Sequence, residues 1–166
     1  MVNSTLETKH KNGTYCSIGL SDQSRSDIED FVKTRLNLST YIDPSEYHVT
    51  LCYSKNPVIV AEKLVDFSGT ILGIGKCLTQ FETKIMNEKY CLVLEVISDD
   101  LTYINNALKL NGATSDYPTY KPHITLAYSE TEFNFSDSIQ PMINLEFSGI
   151  TVEGLKDEIE IKTKEN

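Results

Sequence analysis

Apolar and polar positions alternate with a period of two along seven stretches of the chain. These are 14–20 (TYCSIGL), 47–54 (YHVTLCYS), 69–83 (GTILGIGKCLTQFET), 90–98 (YCLVLEVIS), 122–129 (PHITLAYS), 145–155 (LEFSGITVEGL) and 158–163 (EIEIKT). Each predicts a strand, because side chains two residues apart share a face of a pleated backbone. Two stretches change to a period near 3.6. Around 24–37, Ile28, Phe31, Val32 and Leu36 share one helical face, with Ser24 in N-cap position and Asp27 three residues on. Around 99–110, Leu101, Ile104, Ala107 and Leu108 do the same, and Asn111-Gly112 supplies the stop.

The order strand, helix, strand therefore occurs twice, with further strands after each unit, which predicts an α+β fold. The two halves also resemble one another in sequence. His48 and His123 stand 75 residues apart, and the same offset lays HVTLCY on HITLAY and Tyr15-Cys16 on Tyr90-Cys91. We read a duplicated β-α-β unit, with motif halves at about 14–54 and 90–129 of a single two-lobed domain spanning 1–166. Antiparallel-rich lobes related by a pseudo-twofold would bring equivalent residues to a shared central cleft.

Charge narrows the ligands such a cleft would suit. The chain carries 24 acidic and 15 basic residues in 166, a formal charge of -9. Binding a long nucleic acid needs many phosphates neutralised, so a polymer partner is disfavoured and a small phosphate-containing ligand is not. No stretch approaches the roughly 20 continuous apolar residues of a membrane span, and the polar N-terminus lacks a secretory signal. A soluble cytoplasmic protein is expected, its acidity aiding solubility. Cys16, Cys52, Cys77 and Cys91 are widely spaced and sit in strand patterns, so they read as reduced packing residues; no metal and no cofactor is expected.

The chemistry lies in the repeated frame itself. His48 and Thr50 share a strand face, as do His123 and Thr125, while Val49, Leu51, Ile124 and Leu126 point the other way. Two of the three histidines of the chain occupy this frame; His10, in the polar N-terminal segment, is assigned no role. Cleaving a phosphodiester needs a base at the attacking oxygen and an acid at the leaving oxygen, and imidazole serves as either near neutrality. Threonine hydroxyls beside each imidazole can donate to the phosphoryl oxygens as charge builds. The pattern leaves open which histidine is base. A single histidine of this kind would more often be packed or superficial than catalytic; the doubling is what carries the signal.

HVTL and KPHITLAY resemble the paired motifs of the two-histidine (2H) phosphoesterase superfamily over nearly the whole chain. The resemblance implies a bilobal fold with outer helices, both motifs lining the cleft, and metal-independent cleavage of nucleotide phosphodiesters. Within that superfamily the short acidic chain, the early GTYC strand and the VEGLKDEIEI stretch are similar to the phage anti-CBASS nucleases, which degrade the cyclic di- and trinucleotide messengers of bacterial defence. That likeness implies His48 and His123 as acid and base, Thr50 and Thr125 as phosphate holders, and a host bacterial cytoplasm as the place of action. The ribose 2′-hydroxyl would then attack the adjacent phosphate and open the ring.

Substrate contacts are expected from Tyr15, which can stack a base or pack in the core, and from the loop 115–121, where Tyr117, Tyr120 and Lys121 can form a lid or simply a rigid turn. Glu153, with Lys156, is placed to read a base edge. Tyr53 and Tyr128 should face away from the histidines in a regular strand and pack, unless a bulge turns them. Two other functions fit the same motifs. An RNA-end 2′,3′-cyclic phosphodiesterase would want a basic groove, for which the chain has few basic residues, and a non-catalytic sponge for cyclic nucleotides would not need the histidines.

Overall fold

The computed structural model describes residues 4–84 and 88–156. Its helices are α1 (Ser4–Lys9), α2 (Asp22–Arg35) and α3 (Asp99–Leu110); its strands are β1 (Thr14–Leu20), β2 (Val49–Ser54), β3 (Ile71–Glu82), β4 (Tyr90–Ile97), β5 (His123–Ser129) and β6 (Ile143–Gly154). Short 3-10 turns lie at Pro44–Glu46 and Ile59–Leu64. The strand expected at 158–163 lies outside the described residues. The helix expected from Ser24 begins two residues earlier, because Ser21 is the cap: its hydroxyl accepts the Ser24 amide at 3.2 Å. Ser24 is buried inside the first turn, where its hydroxyl accepts the Glu146 amide at 2.8 Å and ties α2 to β6. Helix α3 has the expected bounds, with Ser98 capping the Leu101 amide.

All strand pairings are antiparallel, in the order β2-β1-β6-β3-β4-β5. The fold is α+β. The two expected lobes share one strand, since β6 pairs with β1 along Phe147–Gly154 and with β3 along Ile143–Phe147. One face of the sheet carries Ile18, Leu51, Leu92, Leu94, Ile124, Leu126 and Phe147 into a single apolar core with Ile28, Val32, Leu101 and Leu108 of the helices. Burying each such side chain is worth about 1.5–3 kcal/mol, so this face determines which way the alternating polar residues must point.

The edge strands β2 and β5 approach one another rather than facing open solvent. Their outward carbonyls are capped from the opposite half: Asn105 Nδ2 donates to Leu51 O at 2.7 Å, the Tyr120 hydroxyl donates to Thr50 O at 2.8 Å, and the Ile42 amide donates to Leu126 O at 2.8 Å. Covering the edges in this way removes the unpaired ladder groups that invite association. It also binds each motif strand to the other half of the molecule.

His10, assigned no role from sequence, is fully buried. Its Nδ1 meets the Thr14 hydroxyl and its Nε2 lies 3.2 Å from Glu62, which also pairs with Lys9 at 2.6 Å. The polar sequence around it hid this, because burial here comes from tertiary packing of α1 rather than from a local apolar stripe.

Candidate active site

Both motif strands carry a bulge at the same place. In the β1–β2 ladder Cys16 opposes Cys52 and Ser17 opposes Thr50, so Leu51 has no partner; in the β4–β5 ladder Leu92 opposes Ala127 and Val93 opposes Thr125, so Leu126 has none. Leu51 and Leu126 are again 75 residues apart. An extra residue reverses the parity of everything beyond it. Leu51 and Cys52 are consequently both buried, as are Leu126 and Ala127, and Tyr53 and Tyr128 turn onto the face of Thr50 and Thr125. The regular-strand expectation for these two tyrosines is thereby corrected.

The ladders also correct the alignment of the first strands. Tyr15 opposes Tyr53, while Cys91 opposes Tyr128, so the residue equivalent to Tyr15 is Cys91 and not Tyr90. The contacts agree. The Tyr15 hydroxyl lies 3.2 Å from Thr50 Oγ1, and the Cys91 thiol points at Thr125 Oγ1 at 3.9 Å. Burial raises the Cys91 thiol above its ordinary range, so it stays a donor. Between Tyr15 and Thr50 either hydroxyl can donate, whereas the Cys91 thiol donates to Thr125 Oγ1. Tyr128 shares a further hydrogen bond with Thr125.

Each histidine is held by the carbonyl two residues before it. His48 Nδ1 lies 2.8 Å from Glu46 O, and His123 Nδ1 lies 2.9 Å from Lys121 O. A carbonyl only accepts, so Nδ1 carries the proton in both rings and donates it. Nε2 of each ring is the nitrogen not engaged by that carbonyl. His48 immediately precedes β2 and is exposed, whereas His123 opens β5 opposite Glu95 and packs edge-on against Phe81, with ring centroids 6.0 Å apart.

The remaining expected residues divide. Tyr15 stands on the threonine face, half-buried, with its ring edge-on to Tyr53 at 6.0 Å, and Glu153 is its ladder partner on β6. Tyr120 is turned inward; its hydroxyl holds Thr50 O, and burial pushes its ionisation well above the usual phenol range. Tyr117 is 75% exposed and Lys121 is also exposed.

Sequence reading missed Glu95, the lone acid of an apolar strand. Its carboxylate accepts from the Cys77 thiol at 3.1 Å and the Thr79 hydroxyl at 2.9 Å. Those bonds, Cys77 first, with the charges of Lys121 and His123 behind them, hold it below the ordinary carboxylate value against the opposing effect of burial. It also missed Arg25, whose guanidinium donates to the carbonyls of Leu20, Pro44, Ser45 and Tyr47 and so secures the turn that delivers His48. An acid amid apolar residues was a visible signal for Glu95; nothing local marked Arg25.

A family model described as anti-CBASS protein Acb1 matches residues 12–162, which takes in both motif strands, both bulges and Glu153. The chain belongs to the anti-CBASS protein Acb1 family. Among Acb1 relatives, the protein of Vibrio phage KVP40 is 33% identical over 71% of this chain and 74% of its own. That of Salmonella phage S16 is 29% identical over 81% and 84%, and that of Enterobacteria phage T4 is 26% identical over 77% and 80%. The fold is that of two-histidine phosphoesterases. The Thermus thermophilus protein TT0787 superposes with a TM-score of 0.57 at 13% identity, covering 84% of this chain and 86% of that one. Escherichia coli LigT, solved with phosphate, gives 0.53 at 14% identity, covering 84% of each. Among the described residues of this Acb1-family chain, no helix is long and apolar enough to cross a membrane.

Proposed function

We propose that the chain is a metal-independent phosphodiesterase that opens cyclic di- and trinucleotide messengers, acting in the host bacterial cytoplasm against CBASS defence. The observation that carries this reading is the doubled site: two imidazoles, each held through Nδ1 by a backbone carbonyl and each two residues before a threonine hydroxyl. Membership of the Acb1 family, described as anti-CBASS, supports the choice of substrate class.

The chemistry follows from these groups. One histidine, neutral, removes the proton of a ribose 2′-hydroxyl, whose oxygen then bonds to the adjacent phosphorus. The bond from phosphorus to O5′ breaks, and the other histidine, protonated, donates to O5′. Thr50 and Thr125 donate to the non-bridging oxygens, where charge accumulates. The nucleophile belongs to the substrate, so the protein has only to position and polarise it. A 2′,3′-cyclic phosphate end results. Tyr15 and Tyr53 offer aromatic faces to a base, Glu153 an acceptor to a base edge, and Lys121 and Tyr117 an exposed rim over the second motif.

The test offers purified protein, in excess EDTA, a panel of 3′,3′-cyclic dinucleotides, a cyclic trinucleotide, their 2′-deoxy analogues and an RNA ending in a 2′,3′-cyclic phosphate. Ring opening of the ribose forms alone is expected. Turnover restricted to the RNA end would transfer the site to end processing, and tight binding with no product would make the protein a sponge.

A further inference from the structure

The two motif histidines are equivalent in fold but are delivered by different means. Laying one bulged ladder on the other sets Ile18 and Val49 over Leu94 and Ile124. In the second half the ladder continues beyond that pair. Glu95 opposes His123, and the Val96 amide donates to Pro122 O at 3.0 Å, which pins the peptide unit entering His123. The first-half counterparts of Val96 and Pro122 are Leu20 and Tyr47. There the ladder of β1 with β2 ends at Ile18 and Val49, and His48 precedes its strand while His123 opens its own.

A side chain closes the gap. Arg25 Nε donates to Leu20 O at 3.1 Å, and its Nη1 lies 2.8 Å from Pro44 O, 3.0 Å from Ser45 O and 3.3 Å from Tyr47 O. Of the carbonyls from Pro44 to Tyr47, the remaining one, Glu46 O, accepts from His48 Nδ1. The peptide unit that carries Glu46 O is therefore pinned on both sides, at Ser45 O before it and Tyr47 O after it. Room for the guanidinium comes from Gly19 on β1. A Cβ there would lie 2.7 Å from Arg25 Nη2 and 3.1 Å from Ser148 O. Glu95, the counterpart of Gly19, stands where backbone closes the ladder and a side chain fits.

We propose that Arg25 is a positioning residue for His48: its planar fork stands in for the backbone bond that His123 enjoys, and Gly19 makes the space for it. This deepens the phosphodiesterase reading and rests on it. Arg25 acts through the backbone. By fixing the peptide units on either side, it fixes the direction of Glu46 O and so the direction of the ring that donates to it. A misplacement of about 1 Å in a reacting group can cost about 10²-fold in rate. Lysine keeps the charge but offers a single ammonium in place of a fork, so it cannot hold Leu20 O and Tyr47 O in one geometry. Gly19→Ala reaches the same end from the other strand, pushing the guanidinium off its carbonyls while every charge stays.

The experiment places Arg25→Lys and, separately, Gly19→Ala in the full chain and in its His48→Ala and His123→Ala variants. Nitrogen NMR of the imidazoles in mildly alkaline buffer, where the rings are neutral, reads their tautomers, and kcat and KM are measured on a cyclic dinucleotide. In the wild type both rings are expected with the proton on Nδ1. Each substitution should turn His48 into a mixture with the Nε2–H form, leave His123 as it was, and lower kcat about ten- to a hundredfold with KM unchanged. The loss should vanish on His48→Ala and persist on His123→Ala, because residues that act as a unit are not additive. An unchanged His48 tautomer, an equal change at both rings, or a loss that persists on His48→Ala or vanishes equally on both backgrounds would overturn the proposal. Should Arg25→Lys fail to fold, Gly19→Ala carries the same test. If the tautomers shift as expected but the wild-type chain opens no ring, the phosphodiesterase reading falls and the positioning of His48 stands.

Discussion

Thr50 and Thr125 are expected to donate to the phosphoryl oxygens, and their replacement by valine tests that donation without changing shape. Thr50→Val or Thr125→Val should lower kcat by about 10²–10³-fold with little change in KM, and Thr→Ser at either position should restore most of it. Steady-state kinetics on the preferred ring checks both. At Tyr15 two contributions separate. Phenylalanine keeps the aromatic face and loses the bond to Thr50, whereas alanine loses the face as well. We expect Tyr15→Ala to weaken substrate binding by a further 1–3 kcal/mol or so relative to Tyr15→Phe, measured as Kd on the inactive His48→Ala background. At this scale the sequence was eloquent about the histidines and threonines, because a period of two puts His and Thr together whatever the rest of the strand does. For Tyr53 and Tyr128 regular alternation pointed the wrong way, because their direction depends on one extra residue in each strand. Only the adjacent apolar pairs Leu51-Cys52 and Leu126-Ala127, which interrupt alternation, hinted at that residue.

Among the elements, the bulges depend on partners from across the molecule. Asn105, buried on α3, spends its amide on the carbonyl of the bulged Leu51. Asn105→Leu keeps the volume but leaves that carbonyl without a donor, and should cost about 1–3 kcal/mol in urea unfolding. Because the bulge also turns Tyr53 onto the site, the same substitution should depress kcat more than its stability loss alone explains at temperatures where the variant is folded. Strands β1 to β6 and helices α2 and α3 were legible from periodicity to within a few residues, while α1 was not read from the polar N-terminal segment. Equivalence between the halves was legible for β2 and β5, where motif and ladder agree. For β1 and β4 the shared Tyr-Cys letters suggested an alignment one residue away from the one the ladders adopt, since hydrogen-bond register and not residue identity decides which side chains meet.

Over the whole molecule, the N-terminal segment is fastened by a buried polar cluster rather than by apolar burial. Burial alone would raise the Glu62 carboxyl, but its bonds to Lys9 and His10 outweigh that and hold it below the ordinary carboxylate range. A carboxyl whose value is depressed on folding adds stability above its unfolded value and loses it as pH falls through the folded one. The unfolding midpoint should therefore drop as pH is lowered below the ordinary carboxylate range, and Glu62→Gln should flatten that limb while leaving ring opening at neutral pH unchanged. Net acidity agrees with the proposed small ligand rather than a long nucleic acid, since the chain carries 15 basic against 24 acidic residues. The central claim, that two histidines from the two halves act together on one phosphodiester, is tested most directly by turnover. Incubated in EDTA with a cyclic dinucleotide in large molar excess, the wild-type chain should open the ring many times per molecule, and His48→Ala and His123→Ala should each fall by about 10²–10⁴-fold while still binding it. Full turnover in either variant, or a single stoichiometric capture by the wild type with no product, would contradict the account.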